Sequence, residues 1–184
     1  MELDRWERRL DGVIRYVPYA ALAVSTVLAW ATAPVLPGPP LPGTFAVAGL
    51  AAAWMLWMVT LHPSWQSRPG LMTVYFVVLI GLIAVLVVRS PLFGFFAFTG
   101  YLHAVYALRG RWRIVGVAAT AVLSSLSQVG GPGTLASLAG LAVFGVVMLF
   151  NIGLASAMTV LGWVTAEQAE RRKRMIAELA EANA

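Results

Sequence analysis

The sequence contains no cysteine, and only 11% of its 184 residues are charged. Without cysteine, neither a disulfide framework nor a thiolate metal site can form, and the redox compartment cannot be inferred. An ordinary globular chain is roughly 25% charged, whereas here hydrophobic residues make up 60%. A soluble fold of this length cannot bury so much apolar surface, so the composition indicates an integral membrane protein.

Carboxylates are missing from the whole middle of the chain. All eight Asp and Glu residues lie near the two ends, at positions 2–11 and 167–181. Ion-coupled transporters and pumps use carboxylates within the membrane, so this absence argues against both classes. His62 and His103 have no neighbouring acid, which argues against a metal site, a bound cofactor or a catalytic triad. A membrane enzyme is therefore the least favoured function.

Six apolar runs separated by proline, glycine or basic residues predict six transmembrane helices. Each is close to the length of about 20 residues that crosses a bilayer. The predicted spans are residues 13–33, 44–61, 71–88, 92–108, 114–129 and 134–161. We therefore expect an all-α, polytopic fold with a six-helix transmembrane domain over residues 13–163. A cytoplasmic segment, residues 1–12, precedes it, and a cytoplasmic linker helix, residues 164–184, follows it.

The distribution of basic residues predicts the orientation. With six spans and a cytoplasmic N-terminus, twelve of the 13 Lys and Arg residues fall on the cytoplasmic side, and only Arg89 lies outside. This strong positive-inside bias places both ends of the chain in the cytoplasm, as a multi-pass protein of the plasma membrane. Arg outnumbers Lys twelve to one, a bias common in proteins of GC-rich bacteria, so we expect a bacterial membrane. The net charge of +5 is thus explained by membrane orientation, and nucleic acid is not an expected partner.

A few polar side chains lie within the predicted spans. The fifth span carries polar or small residues at four-residue steps, which form one helical face: Gly116, Thr120, Ser124 and Gln128. Asn151 lies near the middle of the sixth span, where an unpaired amide is costly, so we expect it to have a partner. Tyr101 and His103 lie in the inner half of the fourth span. These residues either pack helices closely or form a polar cavity or a switch, and the sequence leaves both readings open.

The C-terminal segment consists of strong helix formers, which predicts that the sixth helix continues into the cytoplasm. Met175, Ile176 and Leu179 recur at helical spacing, as in the start of a coiled coil, and a coiled coil predicts a homodimer. The pattern stops in mid-repeat, as expected of a truncated protein. Two basic clusters are expected to contact anionic lipid headgroups: Arg109, Arg111 and Arg113 in one, and Arg171, Arg172, Lys173 and Arg174 in the other. The alternative for the second cluster is a solvated tail.

Several short motifs carry a family resemblance. They are Leu-His-Pro-Ser-Trp at 61–65, Ser-Pro-Leu-Phe-Gly-Phe-Phe at 90–96 continuing to Thr-Gly-Tyr-Leu-His-Ala at 99–104, Gly-Arg-Trp-Arg at 110–113, Gln-Val-Gly-Gly at 128–131, and the exit helix at 177–184. With these motifs the chain resembles the membrane-embedded N-terminal sensor region of a bacterial two-component sensor histidine kinase. The resemblance implies a following dimerisation helix with a phospho-acceptor histidine, an ATP-binding domain and a response regulator as partner.

Neither kinase domain occurs in this sequence, and neither histidine fits the acceptor pattern, because His62 precedes Pro63 and His103 precedes Ala104. The chain itself is not expected to autophosphorylate. The favoured hypothesis is a signal-input domain that senses a membrane-associated stimulus and transmits it through the last helix. The main alternative is a small transporter or channel for an uncharged substrate, and a third is a scaffold that tethers a cytoplasmic partner.

Overall fold

The computed structural model describes residues 2–36 and 38–182, and its side chains are placed for residues 16–36, 38–157, 167–168, 171 and 174–175. Within these ranges six α-helices follow one another: α1 (Glu2–Thr32), α2 (Leu41–Met55), α3 (Pro69–Arg89), α4 (Gly94–Ala107), α5 (Arg111–Gln128) and α6 (Leu138–Ala182). Short 3-10 turns lie between them at Pro63–Ser67, Pro91–Phe93 and Pro132–Ala136. No strand occurs in the described ranges, so the prediction of an all-α chain is confirmed there.

Proline and glycine determine where several helices begin. α2 and α3 each carry a proline at the first or second helical position, where its missing N–H leaves no hydrogen bond unmade. Gly110, just before α5, has a φ of 56°, a backbone conformation that side chains disfavour. α5 therefore begins at Arg111, three residues before the predicted start at 114, and its first turn includes Arg113.

α2 ends in a π-helical turn, Leu56–Leu61, which the sequence did not predict. The wider turn leaves carbonyl groups free, and nearby side chains bond to two of them. His62 Nδ1 lies 2.8 Å from the Trp57 carbonyl oxygen, so Nδ1 must carry the proton. Gln66 Nε2 donates to the Val59 carbonyl at 3.1 Å. The His62 ring also stacks on Trp65, with centroids 4.1 Å apart.

α3 packs against α2, α4 and α5. One of its faces is fully buried and is formed by Tyr75, Leu79, Ile83, Leu86 and Val87. The opposite face is exposed and apolar. Burial of one face against protein and exposure of the other is the arrangement expected of a helix at the lipid boundary of a bundle.

α6 is one continuous helix from Leu138 to Ala182. It packs mainly against α5 and leaves most of its apolar surface exposed, including Val146, Leu149 and Phe150. The continuation of the last helix beyond its apolar part therefore agrees with the sequence prediction. Both α1 and α6 run through the predicted domain boundaries, at residues 12 and 163, without a break.

Three helical segments of the described chain are long and apolar enough to cross a bilayer: Leu41–Leu61, Pro69–Arg89 and Leu138–Ala157. They identify the chain as a membrane protein. The apolar segment Tyr16–Thr32 is shorter. α4 has 14 residues, which at 1.5 Å each span only about 21 Å. α5 begins with two arginines around a tryptophan and ends in polar residues, which lowers its hydropathy.

Side-chain hydrogen bonds connect the ends of neighbouring helices. At one end, named here the Arg89 end, Arg89 at the end of α3 bonds to Thr44 in α2, and Ser127 at the end of α5 donates to the Pro91 carbonyl at 2.5 Å. At the other, named here the His62 end, the Tyr19 and Thr60 hydroxyls lie 2.8 Å apart and join α1 to the π-helical turn.

Candidate functional site: polar contacts between the helices

Asn151 is the centre of a polar cluster between α5 and α6. It is only 2% exposed. Its amide nitrogen Nδ2 lies within hydrogen-bond distance of three acceptors: Ser125 Oγ at 3.1 Å, Gln128 Oε1 at 3.3 Å and the Val147 carbonyl at 2.9 Å. Gln128 Nε2 donates in return to Asn151 Oδ1 at 3.3 Å. The structure thus supplies the partners that a buried amide requires.

Nδ2 of Asn151 carries two hydrogens but has three acceptors within reach. At least one hydrogen is therefore shared, or one acceptor is bonded only part of the time. Val147 lies on Asn151's own helix, whereas Ser125 and Gln128 lie on α5. The cluster consequently contains two kinds of bond that compete for the same donor: one within α6, and one that holds α6 to α5.

Ser125 is a member of this cluster that the sequence analysis missed. Its hydroxyl donates to the Ala121 carbonyl at 2.7 Å and accepts from Asn151. The α5 face formed by residues at four-residue steps contains Ser124, one position earlier, and not Ser125. The Ser124-Ser125 pair was visible, but only the rotation of α5 about its axis decides which hydroxyl meets α6.

Ser124 and Tyr101 lie instead at the interface of α4 and α5. Ser124 is fully buried, and the Tyr101 side chain is close to it. The two side chains contact each other, and neither hydroxyl has any other hydrogen-bond partner within the described part of the chain. A pair of buried hydroxyls with so few partners is unusual in a well-packed interface.

Glycine brings α4 and α5 together. A Cβ atom at Gly100 of α4 would lie 2.8 Å from Thr120 Oγ1, and one at Gly116 of α5 would lie 3.1 Å from the Ala104 Cβ. Thr120 itself donates to the Gly116 carbonyl at 2.9 Å. Gly116, Thr120 and Ser124 thus line a close helix contact, and Gln128, one turn further on, bonds to α6 instead.

His103 forms a second polar contact, between α4 and α3. Its Nδ1 lies 3.0 Å from the Tyr75 hydroxyl, and the two rings meet edge to face with centroids 5.6 Å apart. Tyr75 is fully buried and His103 is 7% exposed. Nε2 of His103 has no partner among the described residues. If Tyr75 donates to Nδ1, the proton on Nε2 is the single unmet donor of the pair.

Tyr75 was not singled out from the sequence, since it lies in a run of apolar residues in α3. Its backbone carbonyl also accepts a bond from Trp54 Nε1 at 3.1 Å. Tyr75 therefore connects α2, α3 and α4. Tyr75 and His103 are 28 positions apart in the sequence, so no local sequence pattern could predict that they are in contact.

The basic side chains of the two predicted clusters are exposed wherever the structure describes them. Arg109, Arg111 and Arg113 are exposed, and the Arg111 guanidinium lies 5.9 Å from the centre of the Trp112 ring. Arg171 pairs with Glu167 at 2.7 Å, and Arg174 is exposed. The side chains of Arg172 and Lys173 lie outside those that the structure describes. No cluster of three or more His, Asp or Glu residues occurs among the described ones.

Comparisons of the chain with protein-family models, with curated proteins and with solved structures found no match. Its function is therefore argued from the arrangement of its own residues.

Proposed function

We propose that this chain is the membrane-embedded signal-input domain of a bacterial sensor histidine kinase. The observation that carries this proposal is α6, a single helix from Leu138 to Ala182 that is held to the bundle at Asn151 and continues beyond its apolar part to Arg171. A continuous helix passes a rotation or shift at one end to the other, because its backbone hydrogen bonds keep it rigid. In the intact kinase, a catalytic core after residue 184 would receive that movement.

The proposal includes six crossings of the bacterial plasma membrane with both ends in the cytoplasm. The location of twelve of the 13 Lys and Arg residues supports this orientation. The 3-10 turn Pro91–Phe93 leads directly into α4, and together they span about 27 Å. That length is close to the thickness of the hydrocarbon core, about 30 Å, which supports α4 as a crossing despite its 14 helical residues.

The switch in this proposal is the contact between α5 and α6. Because Asn151 has more acceptors than hydrogens, α6 has two ways to satisfy it, and the one that uses Val147 does not need α5. A lipid state or a membrane-dissolved ligand shifts such an equilibrium only if it interacts differently with the two packings. Two copies of the chain would pair through their exit helices, and the attached kinase would act on a response regulator.

Insertions after Trp163 test whether α6 transmits the signal. In a chimera that continues into a histidine-kinase core after residue 184, each inserted residue turns the distal helix by about 100°. One and two residues give large phase errors, whereas four residues give only about 40°. We expect autophosphorylation in membranes to be most disturbed by one and two insertions and nearest to the parent level with four. Equal output from all the insertions, at equal amounts of inserted protein, would contradict the proposal.

The alternative is a small transporter or channel for an uncharged substrate. The buried hydroxyls of Ser124 and Tyr101 favour it, since apart from each other they have no hydrogen-bond partner among the described residues and would suit a polar path. It has less support, because Asn151 and Gln128 bond to each other and hold helices together. Solute flux into liposomes that is lost in Ser124→Ala and kept in Ser156→Ala, a change on the exposed surface of α6, would favour transport over signalling.

A further inference from the structure

Arg89 is held in a fixed position at the Arg89 end of the bundle. Its Nε donates to Thr44 Oγ1 at 3.0 Å and its Nη2 donates to the Pro40 carbonyl at 2.8 Å. Thr44 is only 3% exposed. Gly43 makes room for the guanidinium, because a Cβ atom there would lie 2.7 Å from Nη2. The side chain is therefore fixed against the first turn of α2.

The bonds to Thr44 and Pro40 use only one edge of the guanidinium. Its five N–H groups form a planar fork with two edges, each of which presents two parallel donors. The edge shared by Nε and Nη2 faces α2, and the edge shared by Nη1 and Nη2 has no partner among the described residues. No carboxylate lies nearby in sequence, because all eight acids are at positions 2–11 and 167–181. The free edge is a preformed site for an oxyanion.

An exposed apolar stripe runs along α3 towards the Arg89 guanidinium. Its members recur at helical spacing and face outward: Val78, Gly81, Val85 and Val88. A Cβ atom at Gly81 would meet nothing within 4 Å, so the stripe has a shallow notch. Arg89 is the last residue of the membrane-crossing segment Pro69–Arg89. A charge fixed at the end of an exposed apolar stripe matches the shape of a lipid, with a charged headgroup above an acyl chain.

We propose that Arg89 binds the phosphate of a phospholipid headgroup, with one acyl chain of that lipid along the α3 stripe. Two non-bridging phosphate oxygens match the two parallel donors of the free guanidinium edge. Inorganic phosphate offers the same oxygens, but only a lipid uses the stripe. The proposal requires insertion of the chain into a membrane and is independent of whether the chain transmits a signal.

Lipid retention by the purified full chain tests the site. Native mass spectrometry from detergent micelles would compare phosphatidylglycerol with diacylglycerol, which lacks the phosphate. We expect the parent chain to retain phosphatidylglycerol selectively and Arg89→Gln to reduce that retention about tenfold, the loss expected for a charge-assisted pair. Equal retention by the parent chain and Arg89→Gln would overturn the proposal.

A pair of glycine variants keeps the test informative if Arg89→Gln fails to fold. Gly43→Ala retains the charge but displaces the guanidinium, so we expect weaker retention of phosphatidylglycerol. Gly49→Ala is the matched control on the same helix, because its Cβ would meet nothing within 4 Å, and it should retain the lipid as the parent does. Equal lipid retention by both variants would contradict the role of the fixed guanidinium. Complete displacement of the lipid by inorganic phosphate would show a free-anion site and overturn the lipid assignment.

Discussion

Asn151 and Gln128 exchange two amide hydrogen bonds, each 3.3 Å long, across the contact between α5 and α6. Gln128 is the last residue of α5, and Asn151 is buried within a helix that is otherwise largely exposed. A polar pair at an apolar helix contact specifies one register, because sliding either helix leaves the buried amide of Asn151 without its partners on α5. The attachment of α6 to the bundle therefore depends strongly on this pair and on Ser125.

Replacing Asn151 with leucine should loosen α6. The variant loses its bonds to Ser125 and Gln128, and interhelical hydrogen bonds in membranes contribute about 0.6–2 kcal/mol each. We expect the free energy of unfolding, measured by denaturant titration in mixed micelles, to fall by about 1–3 kcal/mol. Ser156→Ala, on the exposed surface of α6, is the control and should leave it unchanged. A double-mutant cycle with Gln128→Leu that shows no coupling energy would contradict the pairing.

The contact between α4 and α5 should not tolerate a side chain at Gly100. In Gly100→Ala the new methyl group would lie 2.8 Å from Thr120 Oγ1, so one helix must move, at a cost of about 1–3 kcal/mol. Gly49→Ala, in α2, is the matched control, because nothing lies within 4 Å of its Cβ. Thermal unfolding of the two variants provides the measurement. Adding Thr120→Ala to Gly100→Ala should recover part of the loss, and failure to do so would show that the clash lies elsewhere.

Tyr75→Phe should destabilise the bundle, although it removes only one oxygen atom. Nδ1 of His103 would lose its partner in a buried position, which costs about 1–3 kcal/mol. Replacing both partners, with Tyr75→Phe and His103→Leu together, should cost less than the sum of the single changes, since neither group is then left unpaired. Strictly additive losses in the free energy of unfolding would mean that the 3.0 Å contact contributes nothing.

The absence of cysteine makes the proposed orientation easy to test, because any single cysteine introduced is unique. We expect a membrane-impermeant maleimide added to intact cells to label Val35→Cys and Gly133→Cys, which belong to the Arg89 end. Ser67→Cys and Arg109→Cys, at the His62 end, should be labelled only after the membrane is opened. Labelling of Arg109→Cys in intact cells would contradict the proposed topology, since it would require the opposite orientation or a different number of crossings.

The helical boundaries show how much local sequence can predict. Proline and glycine act on the backbone of their own and adjacent residues, so the breaks near Pro40, Pro91 and Gly110 could be identified without a structure. The continuity of α6 followed from helix propensity in the same way. Local signals failed at Leu56–Leu61, because a π-helical turn depends on side chains such as His62 and Gln66 that bond to the freed carbonyls.

The sequence by itself determined that this chain is helical, belongs in a membrane and carries its cations in separate clusters. These properties follow from the composition and from the spacing of residues along the chain, and they do not depend on how the helices pack. It also indicated Asn151 as a buried polar group that needs a partner. Only the tertiary structure decided that Asn151 bonds to Ser125 and Gln128 and that His103 meets Tyr75, since the choice depends on which helices are neighbours and how each is rotated about its axis. For the same reason, the fixing of Arg89 by Thr44 and Pro40 became visible only when α2 and α3 were packed together.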